Sequence, residues 1–276
     1  MNKDSRLFSL VRAGLLLGAA AAVLWLERRH RARRSVESRA IHISRNLAFA
    51  GIAAATVHVL ETPVVMPAAR LVARRRWGLT QVGRAPAWLR CVAGLLLLDY
   101  TLYVWHRLVH RAPALWRFHL VHHVDRDLDA TTGLRFHAGE LAASVPWRAA
   151  QVILIGVTPG TLLLWQTLTL ACVLFHHSNA RLGARAEWWL SWILATPKMH
   201  SIHHSIDPAQ LHSNFSSGLA IWDWLHGTGR LDAEPHEITV GVLGYLEPPT
   251  GFIDALQLPF QPPRLPLARP RAIELQ

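Results

Sequence analysis

Cysteine is scarce in this chain of 276 residues, which contains only Cys91 and Cys172. Both lie in apolar stretches and no CxxC pair occurs, which excludes a disulfide scaffold and argues against a thiolate metal site. Lysine is equally scarce, since Lys3 and Lys198 are the only two, so the net charge of +11 comes almost wholly from arginine. Charged residues are only 17% of the chain and 51% of its residues are hydrophobic. This composition favours an integral membrane protein.

The arginines flank the apolar blocks of the sequence. Residues 28–34 follow the first block, and residues 70–76 lie between two others. The chain contains no basic helix with interleaved aromatic residues and no motif of a nucleic-acid-binding fold. We therefore expect the arginines to contact lipid headgroups, and we expect no nucleic-acid partner.

The apolar blocks predict an all-α integral membrane protein with about four transmembrane helices and a cytosolic helical cap that carries the histidines. The second block is interrupted by Glu61, Pro63 and Pro67, so a full crossing and a re-entrant or interfacial element both remain open. The last two blocks are separated by Thr158-Pro159-Gly160, a turn signal that predicts a helical hairpin. The predicted apolar helices are residues 7–26, 43–69, 89–105, 141–157 and 161–175.

A hairpin returns the chain to the membrane face that it left, so the histidine-rich segments before and after it should share one face. The positive-inside rule places residues 28–45, and with them the histidines, in the cytoplasm. The basic stretch 70–90 then lies outside, which the same rule disfavours. We divide the chain into an N-terminal anchor and interfacial region (1–88), a catalytic domain (89–231) and a proline-rich C-terminal tail (232–276).

Histidine is the abundant polar residue, and 12 of the 17 histidines fall between positions 106 and 212. Spacings of three and four residues place side chains on one face of a helix, so each cluster can direct its nitrogens to one point. Nine imidazoles are too many for one ion and suit two ions with four or five nitrogens each. The clusters are His106-Arg-Leu-Val-His110, His119-Leu-Val-His122-His123, His176-His177 and His200-Ser-Ile-His203-His204.

The residues alone leave the metal open, because imidazole suits zinc, copper, iron and nickel alike. Soluble di-iron bundles use carboxylates from Glu-x-x-His motifs, and no histidine of these four clusters lies in such a motif. From the residues we predict a dinuclear, nitrogen-rich site at a membrane face.

Residues 94–231 resemble the fatty acid hydroxylase/sterol desaturase superfamily of membrane oxygenases. The resemblance rests on an ordered series of motifs: Asp99-Tyr100, Tyr103-Val-Trp-His-Arg-Leu-Val-His110, Leu115-Trp-Arg-Phe-His-Leu-Val-His-His123, Leu134-Arg-Phe-His137 with Glu140, Phe175-His-His-Ser-Asn179, Thr196-Pro-Lys-Met-His-Ser-Ile-His-His-Ser205, Asn214-Phe215, Leu219, Trp222-Asp223 and Gly227-Thr228.

The resemblance implies a set of nine metal ligands, and it leaves His176 outside that set. The implied ligands are His106, His110, His119, His122, His123, His177, His200, His203 and His204. Metal-bound imidazoles usually donate their second N–H to a carboxylate or a carbonyl group. Residues expected to orient ligands in this way, or in the case of His137 to face the substrate, are His137, Asn179, Asp125, Asp207 and Asp223, although ordinary capping would also explain Asp207. Arg135 and Glu140 are interpreted as a surface ion pair.

The resemblance further implies two iron ions that activate O2 to attack a C–H bond of a lipid, with hydroxylation and desaturation both possible. No haem-binding His-Pro-Gly-Gly segment is present, so electrons should come from a separate donor protein that docks on the basic, histidine-bearing face. Two other classes remain open. One is a redox-inert lipid-modifying enzyme with zinc as its cofactor. The other is a non-catalytic metal carrier. A carrier needs histidines within its spans, and in this chain only His58 is expected there.

Overall fold

The computed structural model of the protein describes residues 3–246, 251–262 and 264. These residues form helices joined by loops, with three isolated β-bridges and no β-sheet. This architecture confirms the predicted all-α fold class. The α-helices in this part of the chain are Lys3–Arg29 (α1), Arg39–Thr56 (α2), Thr62–Arg75 (α3), Ala87–Arg111 (α4), Pro113–His123 (α5), Ala138–Ile155 (α6), Pro159–His177 (α7), Ala184–Ser191 (α8), Pro197–His203 (α9), Pro208–Leu211 (α10), Ile221–Leu225 (α11) and Phe252–Gln257 (α12).

Four helical stretches are long and apolar enough to cross a membrane, as predicted: Arg6–Arg29, Arg39–Gln81, Ala87–Arg111 and Pro159–His177. In the first of them only 6% of the most apolar 18-residue window is buried inside the protein, although its mean hydropathy is 2.0. So large an exposed apolar surface is stable in lipid rather than in water. The protein is therefore an integral membrane protein.

The second apolar block forms one unbroken helix and does not break at Glu61 or at its prolines. α2 continues through a π-helical turn, Val57–Glu61, directly into α3. Pro63 lies in the first turn of α3, and Pro67 lies inside the helix. With 43 residues, the stretch Arg39–Gln81 far exceeds the about 20 residues that a crossing needs. The described backbone thus contains no re-entrant loop at this position.

The helical hairpin predicted around residues 158–160 is present, but its two arms separate. α6 packs mainly on α3, whereas α7 packs on α1 and α4. A cavity opens between the arms. α6 carries Glu140 and Arg148 and is not among the four stretches that qualify as spans.

The two ends of the helical bundle differ in composition. At one end α4 and α7 finish with their histidines, and the Glu27 carboxylate near the end of α1 accepts hydrogen bonds from the backbone N–H groups of Ala130 and Asn179. At the other end the turn between α6 and α7 meets residues 77–81. The helices α5 and α8 to α12, with their loops, form a cap over the histidine end. Part of the predicted tail belongs to this cap, because Ala255 and Leu258 pack against Trp116 and Leu120 of α5.

The starts of α7 and α9 share a simple signal, a side-chain cap followed by proline. Thr196 accepts a hydrogen bond from the N–H of Met199 and precedes Pro197, so α9 begins in register for its histidines. Thr158 and Pro159 start α7 in the same way. A hydroxyl that accepts from an otherwise unpaired N–H and a proline whose missing N–H is not needed both favour a helix start.

Two glycines let the chain close the end of the bundle opposite the histidines. Gly78 and Gly156 both have φ values of +88°, in the left-handed region that favours glycine. A Cβ atom on Gly78 would lie 2.3 Å from the nitrogen of Gly156. The carbonyl oxygen of Gly156 accepts hydrogen bonds from Thr80 and Gln81 at 2.9 and 2.8 Å. This contact fixes the hairpin turn against the α3–α4 connection.

Gly78→Ala should destabilise the protein by about 2 kcal/mol or more, because the left-handed conformation costs an L-residue about 1–2 kcal/mol and the new methyl group overlaps backbone. The measurement is the thermal midpoint for loss of the monodisperse protein in detergent. Gly51→Ala is the matched control, since no atom lies within 4 Å of a Cβ there. Equal midpoints for the two variants would contradict the predicted close contact.

Candidate metal centre

Five imidazoles form the first histidine group. Two come from the last turns of α4, two from α5 and one from α9. One ring nitrogen of each lies within 4.8 Å of a nitrogen of every other member, and all five side chains are buried. The members are His106, His110, His119, His123 and His203.

Four imidazoles form the second histidine group under the same limit of 4.8 Å, and they too are buried. They come from α5, from the end of α7 and from α9 with the residue after it. The members are His122, His177, His200 and His204. The two groups together contain the nine histidines that the resemblance implies as ligands.

The two groups adjoin because α5 and the α9 segment each serve both. On α5, His119 and His123 are four residues apart and belong to the first group, whereas His122 belongs to the second. The rings of His123 and His204 stack across the boundary with centroids 4.3 Å apart. Two short helices with histidines at i, i+3 and i+4 thereby build a double site, as the helical spacing predicts.

The tautomers of two rings favour a cation in the first group. Nδ1 of His106 lies 2.7 Å from the carbonyl oxygen of Phe215, and Nδ1 of His119 lies 2.9 Å from Oε1 of Glu140. Each Nδ1 therefore carries the proton, and each Nε2 carries a lone pair. The two Nε2 atoms are 3.2 Å apart. Two lone pairs at this distance repel each other unless a positive ion lies between them.

The nitrogen spacings also suit a metal ion. In the second group Nε2 of His177 lies 3.0 Å from that of His122 and 2.9 Å from that of His200. Ligand nitrogens at the usual 2.0–2.1 Å from a metal are separated by about 2.9 Å at right angles and about 3.3 Å in a tetrahedron. Buried ring nitrogens without a hydrogen-bond partner in the described part of the chain include both of His110 and Nε2 of His203. The residues present therefore fit two imidazole-bound metal ions.

Burial favours the neutral form of five imidazoles in the two groups. The pKa values of His122, His123 and His200 lie well below the ordinary value because burial disfavours the charged ring, and neighbouring histidines add to the effect. His203 and His204 behave in the same way. A neutral ring keeps the lone pair that a metal needs.

Backbone carbonyls do most of the orienting of the ligand rings. Nδ1 of His177 donates to the carbonyl of Val173 at 2.8 Å, and Nδ1 of His203 donates to that of Ser213 at 2.7 Å. Glu140 is the one carboxylate among the described residues that accepts from a ligand ring. Sequence reasoning assigned it no such role, and carbonyl partners cannot be read from side-chain identity.

Three of the residues expected to orient ligands have other partners. The carbonyl and amide groups of the Asn179 side chain pair with the backbone N–H and carbonyl of Arg33 at 2.9 and 3.0 Å. Asp207 caps α10 through the N–H of Ala209, which is the capping role left open above. His137 accepts from the N–H of Gly139, and its other nitrogen lies 3.2 Å from the carbonyl of Leu256. Neither nitrogen of His137 is left for a ligand ring.

Asp223 supports a ligand through the backbone, whereas Asp125 binds the side chain of His42. Asp223 accepts hydrogen bonds from the N–H groups of Phe215 and Ser216 at 2.8 and 2.9 Å. It thereby fixes the carbonyl group of Phe215, which accepts the hydrogen bond from Nδ1 of His106. Asp125 directly follows the α5 histidines, and its carboxylate lies 2.9 Å from Nε2 of His42 on α2. Burial opposes ionisation of Asp125, yet these hydrogen bonds and nearby positive charges lower its pKa.

The interpretation of Arg135 and Glu140 as a surface ion pair is wrong. Both are buried, at 0% and 5% exposure. Nε of Arg135 donates to the carbonyl of Val121 on α5 at 2.8 Å, and its guanidinium group lies over the Phe49 ring. Glu140 instead accepts a hydrogen bond from Nδ1 of His119. The two residues hold the helix that carries three ligands.

Two further histidines lie outside the two groups. His176 is buried beside the second group, with its ring centroid 4.1 Å from that of His200. His58 lies exposed on the π-helical turn. Its outward position leaves the metal-carrier interpretation without a histidine path through the bundle.

A cavity of about 460 Å³ leads from the histidines into the bundle between α2, α4, α6 and α7. Histidines of both groups contribute to its wall: His106, His119, His122, His177 and His200. Much of the remaining wall is apolar and includes Leu102, Trp105, Leu170 and Val173. Pockets of this size and character bind small ligands and lipid chains. The two histidine groups thus face an apolar space inside the bundle.

Comparisons with known proteins agree with this geometry. A family model described as "Fatty acid hydroxylase" matches residues 91–228. The chain is 33% identical over 177 residues to ornithine lipid hydroxylase OlsE of Rhizobium tropici, covering 63% of this chain and 51% of the relative. It is 26% identical to human alkylglycerol monooxygenase over 152 residues (54% and 32%), and 28% identical to human cholesterol 25-hydroxylase over 143 residues (51% of each). The chain therefore spans about half or less of these curated relatives. No solved structure matches.

Glu140→Ala should weaken metal binding about 10–100-fold, the usual effect of removing a carboxylate that orients a ligand imidazole. Glu140→Gln keeps an acceptor for Nδ1 of His119 and should restore most of the affinity. The measurement is metal retention during titration with a chelator, and Asp207→Ala serves as control because Asp207 caps an exposed turn. Unchanged retention in Glu140→Ala would contradict the orienting role.

Proposed function

Because the chain belongs to the fatty acid hydroxylase family, we propose that it is a membrane-bound oxygenase that oxidises a C–H bond of a lipid with O2 and two iron ions held by the nine histidines. The observation that carries the proposal is the convergence of lone pairs in two adjacent groups that open onto one apolar cavity. The relatives named above act, by their names, on ornithine lipids, alkylglycerols and cholesterol. A lipid is the substrate class common to them.

In this proposal His106, His110, His119, His123 and His203 hold one ion, and His122, His177, His200 and His204 hold the other. When bound, the pair of ions supplies the redox chemistry that reduces O2. Hydroxylation consumes the lipid, O2, two electrons and two protons and yields the alcohol and one water. Desaturation consumes the same reactants and yields the alkene and two waters. Both outcomes begin with removal of hydrogen from carbon, so the histidines alone do not choose between them.

The chain's own groups provide binding, orientation and exclusion of water. Leu102, Trp105 and Leu170 line the cavity and hold an alkyl chain beside the histidines. Glu140 and the loop carbonyls keep the ligand rings in one tautomer, so their lone pairs point inward without rearrangement. A dry, apolar wall protects a strong oxidant from reaction with water.

The proposed electron donor is a separate protein that docks on the basic face beside the centre. A groove of about 750 Å³ lies on the histidine side and contains arginines of the α1–α2 connection, namely Arg31, Arg33, Arg34 and Arg39. Arg33 donates to Oγ of Ser201 at 2.6 Å, and Ser201 follows the ligand His200. An acidic donor protein placed there would lie directly over α9.

We propose that this face is cytoplasmic. A reporter fused after residue 35 should report a cytoplasmic position.

The protein purified anaerobically should contain about two irons per chain. His177→Gln should lower this to about one, because it removes a ligand of the second group. His176→Gln is the matched control, since the adjacent ring lies outside both groups, and it should retain two. Elemental analysis provides the measurement. Zinc alone, even after growth in iron-rich medium, would favour the redox-inert alternative, and equal metal loss in both variants would contradict the ligand assignment.

Membranes of cells that express the protein should yield oxidised lipid only with O2 and a reductant present. With isotopically labelled O2, hydroxylation places the label in the lipid, whereas desaturation places it only in water. Mass spectrometry of the extracted lipids distinguishes the two outcomes. His204→Ala is expected to abolish the product while the protein still reaches the membrane. Product formation without O2 would contradict the proposed function.

A further inference from the structure

The central cavity contains a pair of opposite charges far from the histidines. Glu61, in the π-helical turn between α2 and α3, and Arg148, on α6, both line it. Around them the wall is formed by Ala54, Val57 and Trp165 among others. Charged side chains at membrane depth are costly and usually mark a functional site. The pair has no part in holding the metal ions.

Glu61 is buried at 8% exposure, and its carboxylate makes no hydrogen bond or ion pair with any residue in the described part of the chain. Arg148 attracts the Glu61 carboxylate electrostatically. However, no nitrogen of Arg148 lies within 4.0 Å of a Glu61 oxygen, the distance that defines an ion pair. A buried carboxylate without a hydrogen-bond donor is unfavourable. Its acceptor capacity is therefore available to a molecule inside the cavity.

Arg148 is held in place on one side and unsatisfied on the other. One terminal nitrogen donates to Oε1 of Gln151 at 3.0 Å, and the guanidinium group lies 4.6 Å from the centre of the Trp165 ring. Its second terminal nitrogen makes no hydrogen bond with a described residue and, unlike Nε, is not fully buried. Gln151 in turn donates to Thr101 on α4. The arginine is thus positioned to donate to a group in the cavity.

The spacing along α6 measures the distance from this pair to the metal centre. Glu140, Ser144 and Arg148 line the cavity at intervals of four residues, so they occupy one helix face. Eight residues of helix correspond to about 12 Å. Because Glu140 bonds to the ligand His119, Arg148 lies about 12 Å deeper than the histidines.

We propose that Glu61 and Arg148 form a polar subsite for a neutral group of the lipid that carries a hydrogen-bond donor beside an acceptor, as an amide or a hydroxyl does. The donor hydrogen binds the Glu61 carboxylate, and the acceptor oxygen binds Arg148. This inference rests on the proposed function, in which a lipid is the substrate, and it adds the chemical class of that lipid. The distance of about 12 Å then selects the carbon that reaches the metal centre.

The charges of the pair favour a neutral group over an ion. Glu61 and Arg148 together carry no net charge, so a neutral partner leaves none uncompensated. A phosphate or carboxylate would gain Arg148 but would be repelled by Glu61, and an ammonium group would meet the reverse conflict. A plain hydrocarbon chain would leave both side chains unsatisfied.

The test uses the purified full-length protein without reductant and measures displacement of a fluorescent alkyl probe. The competitors are three lipids of equal chain length with an amide, an ester or an ether at the same position. The wild type should bind the amide about tenfold more tightly than the ester, a difference of about 1.4 kcal/mol, and the ester more tightly than the ether. A long-chain alcohol and its methyl ether form a second pair that separates a hydroxyl-bearing source from an amide-bearing one.

Two variants assign these preferences to their residues. Glu61→Gln should reduce the amide-to-ester ratio to below about threefold, because charge-assisted hydrogen bonds are roughly twice as strong as neutral ones. Arg148→Met should abolish the ester-to-ether ratio, since it removes the donor to the carbonyl. Val59→Ala is the control, because Val59 lies on the outer surface of the same turn. Ratios are compared only for monodisperse protein.

Equal affinities of the wild type for all competitors would overturn the subsite, and this result does not depend on any variant folding. Variants that lose thermal stability but keep the ratios would show instead that the pair only attaches α3 to α6, and would also overturn it. Because binding is measured without turnover, absence of lipid oxidation contradicts the proposed function alone. Oxidation without a polar-group preference contradicts the subsite alone.

Discussion

The repulsion between buried imidazole lone pairs is the constraint around which this protein is built. Nε2 of His106 and Nε2 of His119 face each other at 3.2 Å, while both protons are held on the opposite nitrogens. Nine buried imidazole rings in this arrangement favour a positive charge between them. Binding of cations by the two groups would therefore contribute to the stability of the folded cap. Metal loading and folding of the cap are thus expected to be coupled.

The supports of the ligand rings explain why the centre lies where helices end. The last turns of α4 and α7 and the short helices α5 and α9 bring ligands together, and the loop after α10 offers carbonyls to the rings. Asp223 fixes that loop through two backbone N–H groups, and Arg135 fixes α5 through the carbonyl of Val121. These buried charges act on backbone rather than on the rings. Rigid second partners of this kind keep ligand geometry constant.

The membrane part of the protein has two different surfaces. Its outer surface is apolar and exposed, as the 6% burial of the first span shows, and lipid stabilises it. Its inner surface surrounds a cavity that joins the metal centre to Glu61 and Arg148. The separation of α6 from α7 creates this space, and the contact of Gly78 with Gly156 fixes the turn from which the two helices diverge. The same bundle thereby provides both the membrane anchor and an apolar cavity.

The sequence by itself determined the all-α membrane fold, the four spans and the nine histidines, because hydropathy and helical periodicity are local properties. The tertiary structure alone decided how the nine divide into groups of five and four, since His122 and His123 are neighbours in sequence yet belong to different groups. It also decided the partners of the rings: Glu140 and backbone carbonyls hold them, whereas Asn179 and Asp207 have other partners. Such contacts join residues distant in the chain, and side-chain identity carries no information about which carbonyl will lie opposite a ring.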